Sequence, residues 1–256
     1  MSIQIDLAGK IALITGSSQG IGAAIARRLH EAGSAVILNH PGTTSDQTHR
    51  DCEAIAAELN TLRGNSAWIE PANVSDARSV QGMMSRIATR CSHIDYLINN
   101  AGILRDRSIA KMSLEEWNAV INVNLSGVFH CCKYGLEIMN EGGAIVNMGS
   151  LAGHLGFHGQ SNYAAAKAGV HALTKVLSRE CARRAIRVNA VAPGVVETPL
   201  AELISPAVRA EMIKAIPWGR FAKPEEIADT VLFVVSDLAG YLTGQIIEVN
   251  GGWHST

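Results

Sequence analysis

Thr15-Gly16-Ser17-Ser18-Gln19-Gly20-Ile21-Gly22 (TGSSQGIG) follows an apolar run, IALIT at 11–15, and precedes a helical pattern at 20–32. Its glycines fall at 16, 20 and 22, a G-x3-G-x-G spacing. Without side chains there, backbone amides and the start of the following helix can approach a pyrophosphate. Glycine also supplies positive φ where a tight turn demands it. A Gly-rich turn alone is a weak signal, and its position between strand and helix is what strengthens it.

The same alternation continues outward in both directions. AVILN (35–39), AWIE (67–70), DYLIN (95–99), AIVNM (144–148), RVNAV (187–191) and IIEVN (246–250) read as further strands. Several are apolar throughout, which suits strands covered on both faces. Helical patterns fall between them, at 45–62, 76–90, 113–139, 161–182 and 224–236. Strand–helix alternation of this kind predicts a doubly wound α/β fold, a parallel sheet of about seven strands with helices on both faces. Neither a linker nor a repeat interrupts it, so 1–256 reads as a single domain. The least regular stretch, about 193–222, is rich in Pro and Gly and is expected to be a flap on the ligand side.

Composition narrows the function. The chain has 256 residues, 47% of them hydrophobic, enough for a large core, and a formal net charge of −1. That balance lacks the basic footprint of nucleic-acid binding. No apolar run approaches the ~18 residues of a membrane span, and MSIQIDLAGK lacks an apolar leader core, so a soluble, cytoplasmic protein is expected. The five cysteines, Cys52, Cys91, Cys131, Cys132 and Cys181, form no C-x-x-C pair and read as buried thiols. The histidines show no H-E-x-x-H spacing, and no metal is expected.

Tyr163 and Lys167 stand four apart in YAAAK, on one face of a helix. An ammonium beside a phenol favours the phenolate, and such a phenol can exchange a proton with a substrate oxygen. Taken alone, the pair is equally a surface Tyr and Lys on an Ala-rich helix. Ser150, at the carboxyl end of the 144–148 strand and thirteen positions before Tyr163, changes that. Open α/β sheets place ligands at this edge, and a hydroxyl there can hold a carbonyl oxygen beside the phenol.

TGSSQGIG, NNAG at 99–102 and YAAAK at 163–167 together resemble the short-chain dehydrogenase/reductase family of single-domain Rossmann enzymes, nearest to its 3-oxoacyl-carrier-protein reductase group. The resemblance runs from Gly9-Lys10 to GQIIEVNGGW at 244–253. It implies that Ser150 orients the carbonyl, that Tyr163 is the general acid/base, and that Lys167 holds the nicotinamide ribose and acidifies Tyr163. It also assigns Asn124 of NVNLSG, rather than Asn122, to a proton-relay water. For the cofactor it implies Gly16, Ser17, Ser18, Gln19, Gly20, Ile21 and Gly22 at the pyrophosphate. Asn99, Asn100, Ala101 and Gly102 lie by the adenine ribose, and Asn73 with Val74 by adenine. Pro193, Gly194, Val196 and Thr198 of PGVVETP lie by the carboxamide. Asn250, where the family more often has Asp, is expected to tie down the C-terminal segment.

NAD enzymes commonly end the second strand with a carboxylate that accepts the ribose 2′-OH. Here the strand ends Asn39-His40, with no acid before Asp46, which favours NADP(H) over NAD(H). Gln19 stands where NADP-preferring relatives often carry Arg or Lys, and it offers no charge. Asn39, His40, Ser17 and Ser18 remain as donors to a 2′-phosphate. The resemblance further implies an acidic carrier protein as partner, docking at positions that fall on Glu141 and Arg184; Glu141 has the wrong sign for this. A homotetramer through the helices at 113–139 and 161–182 is also implied, with Cys131-Cys132 and Leu173-Val176-Leu177 as apolar surface. The expected reaction is NADPH-dependent reduction of a 3-oxoacyl thioester or similar 3-oxo compound. Two alternatives stay open: a catabolic secondary-alcohol, polyol or sugar dehydrogenase, and a non-catalytic dinucleotide-binding scaffold.

Overall fold

The computed structural model describes residues 5–42, 46–199 and 201–255. Seven strands form one sheet: β1 (Ile11–Ile14), β2 (Ala35–Leu38), β3 (Ala67–Ile69), β4 (Ile94–Asn99), β5 (Met139–Met148), β6 (Arg187–Pro193) and β7 (Ile246–Val249). Their order is β3-β2-β1-β4-β5-β6-β7, and every pairing is parallel. The direction of winding reverses between β1 and β4. There the loops after the two strands diverge and leave a crevice at the sheet's carboxyl edge.

The strands are apolar throughout because both faces are covered. Ala12, Ile14, Val36, Leu38 and Ile98 pack with helices α1 (Gly20–Glu31), α2 (Gln47–Leu62) and α9 (Pro224–Val235). The alternate residues Leu13, Ile37, Leu97, Ile145 and Val188 pack with α3 (Ala77–Cys91), α5 (Gly127–Ile138) and α7 (Ser161–Glu180). The sheet thus carries a separate core on each side. Among the described residues no helix is long and apolar enough to cross a membrane.

Two local features differ from the sequence reading. The pattern at 113–139 is not one helix: α4 (Leu114–Ile121) gives way to a π-helical turn at Asn122–Ser126 before α5 begins. Ser113 and Glu116 close α4's start with a reciprocal capping box. The π turn faces Asn124 inward, where its carboxamide accepts from Ile103 N at 2.8 Å and donates to Ile103 O at 2.9 Å. The stretch 193–222 is also more regular than expected, since it carries helix α8 (Pro206–Ala215), begun by a proline at its first position. Leu200 in this stretch, and Ser45 at the expected start of the second helix, lie outside the described residues.

Candidate active site

The glycine loop is fixed from behind and open in front. Gly16 adopts φ +62, and a Cβ there would lie 2.8 Å from Ala101 Cα; one at Gly22 would lie 2.4 Å from Gly16 O. Asn100 Nδ2 donates to Thr15 O and Gly16 O at 3.0 and 2.9 Å, and Thr15 Oγ1 accepts from the amides of Asn100 and Ala101. Gln19 is the residue that precedes α1, in an extended conformation (φ −159, ψ 175) with no side-chain cap bond, and the first turn of α1 contains no acid. The initial amides of a twelve-residue helix are therefore left for an external anion. These residues fit the pyrophosphate of a dinucleotide.

Several residues expected at the cofactor turn out to serve the loop itself. Ser17 is buried, and its hydroxyl donates to Asn39 O at 3.3 Å and accepts from Asn39 N at 2.9 Å. Asn39 Oδ1 accepts from Gly16 N, while its Nδ2 donates to the carbonyls of Glu70 and Ala72. His40 is buried too: Nδ1 accepts from Gly42 N, Nε2 meets His49 Nδ1 at 2.9 Å, and His49 Nε2 lies 3.3 Å from Glu53 Oε1. Burial and the neighbouring His49 hold the His40 pKa below its usual value. None of these three side chains is placed as a cation for a 2′-phosphate. Asn99 likewise points into the core, donating to Asn147 Oδ1 at 2.8 Å and Cys132 Sγ at 3.2 Å. Asn73 is exposed and accepts from the amide and hydroxyl of Ser75, whereas Val74 is buried against the Cβ-less face of Gly127.

Beyond the loop lies a cavity of about 530 Å³ whose lining brings together Ile21, Asn100, Gly102, Ser150, Tyr163, Lys167, Pro193, Gly194, Val196 and Thr198. Ser18, Gln19 and Gly20 face a separate cleft toward α2. Ser150 follows β5 and accepts from Ala152 N at 3.1 Å, at the start of the short helix α6 (Ala152–Leu155). One helical turn separates Tyr163 from Lys167 on α7, as their spacing predicts, and Lys167 Nζ sits 5.6 Å from the Tyr163 ring centre.

The electrostatics differ from the expectation that Lys167 acidifies the phenol. Lys167 donates to Met148 O at 2.6 Å, and burial brings its pKa down to about 8. Burial pushes the Tyr163 phenol up; the Ser150 hydroxyl pulls it back and Asp106 adds to the rise. Desolvation is the largest influence on the phenol, and the Lys167 ammonium is hydrogen-bonded to a backbone carbonyl. Asn124 is wholly buried, with its carboxamide engaged by Ile103 beside Gly102.

The lining of this chamber mixes apolar residues with Asp106, His158, Gln160 and Ser205. Ile103, Leu104, Leu151 and Val195 line it, and Ile204, Val208 and Met212 on and before α8 form its outer side. The remaining sequence expectations fare unevenly. Cys131 and Cys132 are buried against the sheet, so they offer no outer surface; Val176 on α7 and Phe129 on α5 are large apolar residues exposed there. Arg184 gives its guanidinium to the carbonyls of Leu136 and Met139, closing the end of α5 rather than standing free, and Glu141 is exposed.

Residues 16–254 match the family model described as enoyl-(acyl carrier protein) reductase. The 3-oxoacyl-[acyl-carrier-protein] reductase of Staphylococcus aureus (strain Mu50) is 42% identical over 247 residues, 96% of this chain and 98% of that protein. The chain belongs to the short-chain dehydrogenase/reductase family. The corresponding reductase of Thermotoga maritima is 41% identical over 96% of this chain and 98% of its own length. A solved short-chain dehydrogenase/reductase from Brucella melitensis, described as a glucose/ribitol dehydrogenase, superposes with a TM-score of 0.92 at 32% identity, covering 99% of this chain and all of that one (100%). As a member of this family the protein is an NAD(P)-dependent oxidoreductase that interconverts a ketone and a secondary alcohol.

Proposed function

We propose that this short-chain dehydrogenase/reductase reduces a 3-oxoacyl thioester, or a similar 3-oxo compound, with NADP(H) in preference to NAD(H). The observation that carries this reading is the cavity itself. It brings Ser150, Tyr163 and Lys167 together with a set of apolar residues, Ile103, Leu104, Leu151, Val195, Ile204, Val208 and Met212, against which a carbon chain can pack. The name of the Staphylococcus aureus relative supports the same substrate class.

In this reading the Ser150 hydroxyl donates to the carbonyl oxygen and orients it toward Tyr163. A bound nicotinamide supplies the hydride. As charge develops on the oxygen, the Tyr163 phenol transfers its proton there, so that C=O becomes CH–OH. Lys167 holds the cofactor ribose and presents a positive charge to the phenolate left behind. Asn124 holds the Ile103 segment that borders the cavity, with a relay water as its further role. Ser18, Gln19 and Gly20 supply amides to the pyrophosphate, and Pro193, Gly194, Val196 and Thr198 wall the nicotinamide end.

For the cofactor, the support is the absence of a carboxylate at the end of β2, where Asn39 and His40 stand. A homotetramer joined through α5 and α7, acting in the cytoplasm, completes the proposal. A second reading, oxidation of an alcohol, polyol or sugar, is favoured by the glucose/ribitol dehydrogenase name of the Brucella melitensis structure. The test is kcat/KM across acetoacetyl-CoA, a 3-oxoacyl carrier protein, secondary alcohols and sugars, each with both nicotinamides. Turnover of the thioesters, fastest with NADPH, is expected. Activity on sugars alone overturns the substrate, and a tenfold preference for NADH overturns the cofactor.

A further inference from the structure

Beneath Ser150 lies a group of side chains that this chemistry does not use. His171 stands one helical turn beyond Lys167, only 6% exposed, and its Nε2 has no hydrogen-bond partner among the described residues. The two glycines that flank the serine make room for it. A Cβ at Gly149 would lie 2.4 Å from His171 Nε2, and one at Gly153 would lie 2.8 Å from its Cε1. The His154 ring tilts over His171 with centroids 4.5 Å apart, and His254 stacks on His154 at 5.7 Å.

Glu248 on β7 gathers the outer members of this column. Its carboxylate meets His254 Nδ1 at 2.9 Å and lies 3.6 Å from His154 Nε2. Asn250 Nδ2 donates to Glu248 Oε2 and to His254 O, both at 2.9 Å, while Asn250 Oδ1 accepts from Gly252 N at 3.0 Å. These bonds close the turn at 250–254, where Gly251 and Gly252 adopt φ +64 and +85. Among the described residues no group of such side chains is arranged to hold a metal ion, so the cluster is read as a tie between chain segments.

The two segments so joined are 150–157, which leaves the catalytic serine, and 248–254. Each contributes one aromatic ring to the cavity wall, Phe157 and Trp253, whose centroids are 5.5 Å apart. His154 and Glu248 are distant in the chain, so only the fold brings these segments together. One carboxylate thus reaches both segments, by a hydrogen bond to His254 and by a longer ion-pair contact at 3.6 Å to His154.

We propose that Glu248 is a positioning residue for the substrate: through His154 and His254 it fixes the Phe157–Trp253 wall and thereby sets the length of carbon chain that the chamber binds. The inference rests on the reading above that the chamber receives the substrate's chain. Loosening the wall removes contacts to the far end of a long substrate and leaves the reacting end, held by Ser150 and Tyr163, in place. The signature is therefore a KM effect confined to long substrates.

The experiment measures KM and kcat for 3-oxoacyl thioesters of four and ten carbons with the full-length enzyme and its Glu248→Ala, Glu248→Gln and His254→Ala variants. In Glu248→Ala the ten-carbon KM is expected to rise roughly tenfold, the scale of losing one or two methylene contacts in an apolar pocket. The four-carbon KM, kcat and NADPH affinity read by its fluorescence stay within about twofold. Glu248→Gln keeps an acceptor for His254 and restores most of the ten-carbon KM. His254→Ala, near the surface, reproduces the length-selective rise and serves if Glu248→Ala does not fold. Equal rises at both lengths, an unchanged ten-carbon KM, or a parallel loss of NADPH affinity overturns the proposal. If the wild type reduces no thioester, the substrate reading fails separately, and methyl ketones of four and ten carbons then decide the inference by the same ratio.

Discussion

The glycine-loop side of the crevice and the Ser150 side use their polar groups in opposite ways. Around Gly16, the side chains of Ser17, Asn39 and Asn100 are spent on the backbone, and what remains for a ligand is main-chain amides at the start of α1. Around Ser150, the backbone is satisfied within the fold and the groups facing the cavity are side chains, two of them with pKa values displaced by burial. An anion shared by all dinucleotides is held by rigid main chain, which tolerates many side chains. Chemistry at one carbonyl needs particular side chains in a desolvated place, which tolerates few.

The contrast breaks hardest on the second side. Ser150→Ala removes the donor to the carbonyl oxygen while leaving the glycine loop untouched. Steady-state kcat is expected to fall by about 10²–10³, with NADPH affinity unchanged in fluorescence titration. An equal loss of NADPH affinity would show that the two sides are not separable.

Gly149→Ala tests the packing under the serine. Its Cβ would fall 2.4 Å from His171 Nε2, so chemical denaturation should show a loss of about 1–3 kcal/mol. Adding His171→Ala should recover most of it, a coupling that a double-mutant cycle reads directly. Additive losses would mean that the glycine is required for another reason. On the opposite side, Asn100→Ala releases Thr15 O and Gly16 O. The KM for NADPH should rise roughly tenfold while kcat at saturating NADPH holds, the mirror image of Ser150→Ala.

The smallest effect is on stability against pH. Burial lowers the Lys167 pKa from 10.5 to about 8. Between those values the unfolded chain holds a proton that the folded chain has lost, so stability should rise with pH across this window. Thermal denaturation of wild type and Lys167→Met compared from pH 7.5 to 10.5 should show that rise only in the wild type. Identical slopes would place the ammonium in a solvated setting.

The sequence made the sheet legible because its strands are apolar throughout and separated by amphipathic helices, and this is what a doubly covered parallel sheet requires. The residues lining the crevice were legible where a motif sits at the end of a strand, as with Ser150 after β5. The π turn at Asn122–Ser126 was not, since one extra residue in a turn barely disturbs a helical periodicity. Asn39 and His40 looked available because sequence order gives the end of a strand but not which way its last side chains turn. The column of His171, His154, His254 and Glu248 gave no signal at all. Its members come from α7, α6, β7 and the C-terminal turn, and only the fold makes them neighbours. Gly149 and Gly153 were the available hint, as glycines that no turn requires beside the serine proposed to hold the carbonyl.

One phenol exchanging the substrate's proton is the centre of the proposed mechanism. The direct measurement is turnover of acetoacetyl-CoA by Tyr163→Phe with NADPH binding followed in the same sample. The variant is expected to bind NADPH as the wild type does and to lose at least about a hundredfold in kcat, the lower bound for a positioned general acid. Turnover equal to the wild type's would contradict the assignment of Tyr163 and the mechanism built on it.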